Sequence, residues 1–261
     1  SSLSILASCL LTDKKISIFG VPKLTDTFFF LKLLYSFGVD IEGLNNFKNT
    51  EKFILNAKKI TNNKAPYNLV KKMRASILVL GPLLARTGRA IVSLPGGCSI
   101  GLRPVDIHLK SLEKLGAKIF IEKGYIYAEA LKGLKGNKII FPKVSVGATI
   151  NVLMAAVLAK GTTEIYNVAK EPEIEDLGLC LISMGAKIQG LGTNKILVEG
   201  VTKLKETNYK VMFDRIEAGT YALAVAIAGG EIELIGAEKK LLTYFLNILE
   251  NNIYSELDKI N

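Results

Sequence analysis

Apolar residues in this chain fall into two kinds of helical run that alternate with short strand-like segments. The first kind, seen at 150–158 and 222–228, is apolar on nearly every side. A helix with no polar face must be covered all round. The second kind carries one apolar stripe and stops at a glycine. In residues 104–116, Pro104 suits the first helical position, Val105, Leu109 and Leu112 share a face, and Gly116 ends the run. Between the helices, residues 16–19, 90–94, 164–168 and 231–235 read as strands. Residues 118–121 and 125–128 alternate about Glu122-Lys123-Gly124, which predicts a hairpin.

This order recurs. Residues 6–41 align without a gap on 153–188, an offset of 147 that pairs Ile18 with Ile165, Val21 with Val168, Leu34 with Leu181, Gly38 with Gly185 and Ile41 with Ile188. A copy between them matches 84–88 to 158–162 after one extra residue, and another begins at 222–230. Each copy reads as buried helix, strand, glycine-ended amphipathic helix, then one or two strands. Several all-apolar helices at the centre with sheets outside predict an α/β fold, an inside-out α/β barrel of repeated βαβαββ-type units. The buried helices open at 72–76, 144–149 and 214–220, where small residues mix with hydrogen-bonding or charged ones. Parallel central helices would gather these starts at one end, so that Arg74, Ser145 and the helix start at Arg103 line one anion-binding surface. The offset also sets Ser1 opposite Ala148, so the repeat implies a chain that opens at a helix start without the residues that should precede it.

Composition narrows the chemistry. At 261 residues and 49% hydrophobic there is room for one large domain or two smaller ones. No apolar run reaches the roughly 18–20 residues of a membrane span, and no basic leader precedes an apolar stretch. Cys9, Cys98 and Cys180 are odd in number and lack metal-ligand spacing, which predicts a reduced, cytoplasmic protein without a disulfide framework. The net charge of +10 is spread as scattered lysine without aromatic interleaving, which reads as solvated faces rather than a nucleic-acid surface and also suits an anionic small-molecule substrate. Only five arginines, Arg74, Arg86, Arg89, Arg103 and Arg215, stand among 34 basic residues. Each offers the planar fork that lysine lacks; Arg74, Arg103 and Arg215 are the candidates for anion binding, and Arg86 and Arg89 for surface ion pairs.

The densest chemistry lies at 95–106, Pro-Gly-Gly-Cys-Ser-Ile-Gly-Leu-Arg-Pro-Val-Asp. Glycines flank a lone thiol and let the loop bend, and Arg103 precedes a helix start that already favours anions. A thiol in cationic surroundings has a depressed pKa. Cys9 and Cys180 fall in apolar helices and read as inert.

With 74–76, 81–86, 94–101, 103–108, 144–149, 171–174 and 214–217 read together, the chain resembles the UDP-N-acetylglucosamine 1-carboxyvinyltransferase family over essentially all of 1–235. The resemblance implies two inside-out α/β domains of three units each, with the active site in the cleft between them. It implies transfer of an enolpyruvyl group from phosphoenolpyruvate to the 3-hydroxyl of UDP-N-acetylglucosamine in peptidoglycan synthesis, with no metal or organic cofactor. Cys98 would be the general acid and the target of fosfomycin. Arg103 would contact phosphoenolpyruvate and the nucleotide. Arg74, Arg103, Pro104, Val105, Asp106, Ile107, Lys143, Val144, Ser145 and Val146 would hold the sugar nucleotide, and His108 would be structural.

Several family features are not found. The family's Lys-Asn pair would precede Ser1, its proton-accepting aspartate and further arginines would follow the last residue, and Leu78 stands where a tryptophan is common. The expectation is therefore a near-complete domain at 1–212 and the start of a second at 213–261, with self-association through an uncovered apolar helix near 221–228. An inactive remnant that binds UDP-sugar weakly and a basic nucleic-acid-binding α/β protein are the alternatives.

Overall fold

The computed structural model describes residues 1–70, 73–94 and 105–257, with the backbone alone at Arg74 and over 251–257. The first repeat runs α1 (Ser2–Ala7), β1 (Lys15–Phe19), α2 (Thr25–Ser36), β2 (Asp40–Glu42) and β3 (Lys52–Asn56), and a short α3 (Tyr67–Val70) follows. The second runs α4 (Leu80–Thr87), β4 (Arg89–Ser93), α5 (Asp106–Lys114), β5 (Lys118–Glu122) and β6 (Tyr125–Glu129). After β7 (Lys138–Ile140), the third runs α6 (Val146–Ala156), β8 (Thr162–Tyr166), α7 (Pro172–Ser183), β9 (Lys187–Gln189) and β10 (Lys195–Glu199), and β11 (Thr207–Lys210) closes it. The offset of 147 carries β1, α2 and β2 onto β8, α7 and β9 residue for residue.

The buried helices sit at the centre, as an inside-out arrangement requires. Every residue of α6 from Ala148 to Ala156 is buried, and α4 packs against both α6 and the 3-10 turn Ser8–Leu11 that continues α1. Burial of each large apolar side chain is worth about 1.5–3 kcal/mol, so these helices hold the three repeats together. Outside them lie three sheets, ordered β11-β1-β3-β2, β4-β6-β5 and β7-β8-β10-β9. In the first and third, a parallel edge strand is added from outside the repeat's own hairpin: β7 on β8, and β11 on β1 in the register Ile16↔Thr207. The second sheet has only an isolated parallel bridge there, Lys64↔Ile91. Because β11 follows the third repeat yet pairs with the first, it closes the ring.

That closure is fixed by side chains. The Tyr209 hydroxyl on β11 lies 2.7 Å from Asp176 Oδ1 and 2.9 Å from the Asp176 carbonyl on α7. Thr207 Oγ1 lies 2.8 Å from Ser183 Oγ, and Thr12 Oγ1 donates to the Leu204 carbonyl at 2.9 Å.

Two compact units divide at Val211 and Met212. The second contains α8 (Arg215–Ala228) and α9 (Lys239–Leu257). Asp214 caps α8 by accepting from the Ile216 and Glu217 N–H groups at 2.9 and 3.1 Å. Large apolar side chains are exposed here, Ile227 on α8 at 79% and Ile235 beyond it at 90%.

The structure corrects several expectations. Residues 231–235 form no strand, because an alternating segment needs a partner edge and none is given to it among the described residues. The strands expected at 90–94 and 164–168 lie slightly earlier, at β4 and β8. Helix α5 begins at Asp106 with Val105 as its N-cap, and Pro104, expected at the first helical position, lies outside the described residues. Its buried face is Ile107, His108, Ser111 and Leu112; two polar residues hid it from a hydropathy reading. The second buried helix starts as a 3-10 stretch, Arg74–Val79, since Pro82 has no N–H to give to the carbonyl four residues back. Cys9 lies in a 3-10 turn rather than an α-helix, and the polar segment beyond 241 lies largely within α9. The hairpin forms with Lys123 and Gly124 at φ 49° and 76°, as a two-residue turn demands.

Burial, and then the adjacent Asp176 carboxylate, push the Tyr209 phenol well above its ordinary value near 10. Its contribution to folding is therefore complete below about pH 10 and is lost as the pH rises beyond, because the unfolded chain ionises first. Tyr209→Phe should lower stability at neutral pH by about 1–3 kcal/mol and flatten the alkaline decline. Urea unfolding from pH 7 to 11 checks this; an unchanged alkaline slope would remove the role assigned to the Tyr209–Asp176 bond.

Candidate functional site

Two helix starts carry most of the expected binding residues. Val105 caps α5 at φ −99°, ψ 7°, exposed Asp106 lies in its first turn where the dipole favours an acid, and Ile107 turns into the core. Ser145 caps α6 in extended geometry, φ −146°, ψ 110°, and its Oγ accepts from the Ala148 N–H at 3.3 Å. The Ser145 carbonyl accepts from the Thr149 N–H at 2.9 Å and the Thr149 hydroxyl at 2.8 Å. Lys143, Val144 and Val146 are exposed around this cap.

These starts are held side by side. His108, one turn into α5, is buried, and Gly147 in the first turn of α6 lies against its ring. A Cβ on Gly147 would sit 3.0 Å from His108 Cε1 and 3.1 Å from Nε2, so any side chain there would press on the ring and require it to shift. Asn151, a turn further along α6, has Nδ2 3.0 Å from His108 Nδ1. The same amide donates to the Ile77 carbonyl at 3.1 Å and accepts the Gly81 N–H at 2.8 Å. The stretch opening at Arg74, the start of α5 and the start of α6 are thereby brought together. Thr149 draws in a fourth segment by accepting the Ala169 N–H at 3.1 Å. Just beyond, Glu171 precedes Pro172 at the first position of α7, and its Oε2 is buried without a hydrogen-bond partner among the described residues.

The structure thus groups Val105, Asp106, Ile107, Lys143, Val144, Ser145 and Val146. Of Arg74, only the backbone at the head of its 3-10 stretch is described. Cys98, Arg103 and Pro104 lie outside the described residues. Arg89 forms an ion pair with Glu129 at 3.2 Å across β4 and β6. Sequence reasoning missed Asn151 and Thr149. Their signal was an amide and a hydroxyl inside an otherwise apolar helix. No group of three metal-ligating side chains is gathered among the described residues.

Comparison with known proteins bears on this site. The profile of the family described as EPSP synthase (3-phosphoshikimate 1-carboxyvinyltransferase) matches residues 1–253, further than the expected limit at 235. The UDP-N-acetylglucosamine 1-carboxyvinyltransferase of Caulobacter sp. (strain K31) is 52% identical over 250 residues, covering 96% of this chain and 58% of that protein. The enzyme of the same name from Dinoroseobacter shibae is 52% identical over 243 residues, covering 93% and 57%. The chain therefore spans under three fifths of the length of these relatives. Among solved structures, the enolpyruvyl transferase NikO from Streptomyces tendae superposes with a TM-score of 0.72 at 19% identity, over 85% of this chain and 52% of that one. EPSP synthase from Acinetobacter baumannii gives 0.64 at 24% identity, over 87% and 51%. Both show the same fold.

Burial raises the thiols of Cys9 and Cys180, the latter to about 12. Both should resist alkylation at pH 8, where almost none of either is thiolate, while Cys98 should label first. Mass spectrometry after limited alkylation reads this directly; label on Cys9 or Cys180 ahead of Cys98 would contradict it.

Proposed function

Because the chain belongs to the EPSP synthase family of enolpyruvyl transferases, we propose that it serves enolpyruvyl transfer from phosphoenolpyruvate to the 3-hydroxyl of UDP-N-acetylglucosamine, in peptidoglycan synthesis in the cytoplasm. The single observation that carries this reading is the set of relatives about half identical to the chain that bear that enzyme's name. The geometry supports it, since two helix starts side by side offer backbone N–H groups and dipoles to the phosphates of a sugar nucleotide.

In this reading the chemistry needs no metal or organic cofactor. The sugar hydroxyl adds through its oxygen to C2 of phosphoenolpyruvate, giving its proton to a base that the family resemblance puts beyond residue 261, while C3 takes a proton; loss of a C3 proton and of phosphate then restores the vinyl group. Cys98 delivers the proton to C3 as general acid and is the thiol that fosfomycin would modify. Arg103 and Arg74 hold anionic oxygens with their planar forks. Val105–Ile107 and Lys143–Val146, with Pro104, position the nucleotide. No helix among the described residues is long and apolar enough to cross a membrane.

Calorimetry on the 261-residue chain should detect UDP-N-acetylglucosamine binding, and Arg103→Ala should weaken it about tenfold or more, in line with about 1.5–3 kcal/mol for a hydrogen bond to a charged group. Equal affinity of the two proteins would take Arg103 out of the site, and tighter binding of single-stranded RNA would favour the nucleic-acid alternative.

The open apolar surface of α8 is the basis for self-association. Light scattering should show association that rises with concentration and is reduced by Ile227→Lys, since exposed apolar patches of this kind drive contact. A monomer at all concentrations would refute it.

A further inference from the structure

We propose that Asn151 is a positioning residue. It fixes His108 as the neutral tautomer protonated on Nε2 and so holds the starts of α5 and α6 in the register that the binding residues need. The functional part of this claim rests on the reading of those starts as the UDP-sugar site.

The argument begins with burial. Asn151 is wholly buried between Ile150 and Val152 in the most apolar helix of the chain, and a buried amide is costly unless its hydrogen bonds are made. Two of its partners have fixed polarity. The Gly81 N–H can only donate, so the side-chain atom that receives it at 2.8 Å is the oxygen. The Ile77 carbonyl can only accept, so the atom that reaches it at 3.1 Å is the nitrogen. The orientation of the amide therefore follows from chemistry. The second hydrogen on Nδ2 is left for His108 Nδ1 at 3.0 Å. A donor facing Nδ1 requires a lone pair there, which places the ring proton on Nε2. On that edge of the ring lies Gly147, close enough that a Cβ would come within 3.1 Å of Nε2. The imidazole of α5 is thus held between an amide and a backbone segment that both belong to α6.

The scaffold itself does not ask for this amide. The repeat places Ser4 and Ile77 at the positions equivalent to Asn151. Ser4 Oγ only donates back to the Ser1 carbonyl of its own helix, at 2.7 Å, and Ile77 contributes only its carbonyl. Only the third copy carries an amide here, and there it joins the three segments that bear Arg74, Val105–Ile107 and Lys143–Val146.

The chain has a single histidine, so its imidazole nitrogens can be read without assignment in a long-range proton–nitrogen spectrum of the full 261-residue chain. At neutral pH the wild type should show Nε2 protonated and Nδ1 bare. Asn151→Asp keeps the acceptor for Gly81 but turns an oxygen toward Nδ1, and should move a proton onto Nδ1. His108→Asn retains an acceptor near the place of Nδ1, whereas His108→Leu does not. Amide exchange over residues 106–109 should rise about tenfold or more in His108→Leu, the loss expected for one buried hydrogen bond left unmade, and stay near wild type in His108→Asn. UDP-N-acetylglucosamine affinity should follow the same order. A wild-type ring protonated on Nδ1, a tautomer unmoved by Asn151→Asp, or equal exchange in the two His108 variants would overturn the proposal. Should the wild type fail to bind the sugar nucleotide, the substrate reading falls, while spectrum and exchange still decide the positioning role.

Discussion

A helix without a polar face cannot lie on a surface, and α6 is such a helix. Burial of every residue from Ala148 to Ala156 requires cover on all sides, which one sheet or one neighbouring helix cannot give. The ring of three repeats answers that demand. The helical stretches around α1 and α4 supply similar apolar walls, and the sheets and outer helices α2, α5 and α7 close the outside. Because the ring must shut, a strand from the end of the third repeat has to reach the first sheet, and β11 does so beside β1. The polar bonds of Tyr209, Thr207 and Thr12 gather at this join, where no covalent continuity maintains the register.

The same arrangement gives the unit two unlike ends. At one end the central segments finish together, with Leu11, Thr12, Arg86, Leu158 and Lys160 lining a hollow of about 640 Å³. Basic residues suit helix C-termini, where the carbonyl ends of the dipoles point. Opposite, helix starts meet through Asn151, His108 and Gly147, and there unpaired N–H groups favour anions. Electrostatics alone thus makes the second end the more favourable of the two for an anion.

Much of this was legible in the sequence. The gapless offset between 6–41 and 153–188 reappears as superposable elements because strand and helix lengths are set by the apolar pattern and by glycines such as Gly38 and Gly185, both at positive φ. The grouping of helix starts followed from the same repeat. What was illegible depended on partners distant in sequence. The segment 231–235 alternates like a strand but has no edge to join. The buried face of α5 contains His108 and Ser111, polar by type yet buried, His108 against Asn151 and Gly147 of α6. The 3-10 opening of the second buried helix reflects both Pro82 and the hold of Asn151 on Gly81, 70 residues apart.

The repeat also separates what the fold needs from what the site needs. Positions alike in all three copies, such as the apolar faces of the central helices and the glycines that end the outer ones, maintain the ring. At the start of α6, beside the Ser145 cap and the Gly147 that lies against an imidazole, the third copy has Asn151 where the other copies have serine or isoleucine. A symmetric scaffold can hold three equivalent pockets, but a single asymmetric substrate needs only one. An amide found only at the third copy's helix start is the kind of departure that specialising a repeated scaffold for one ligand would require.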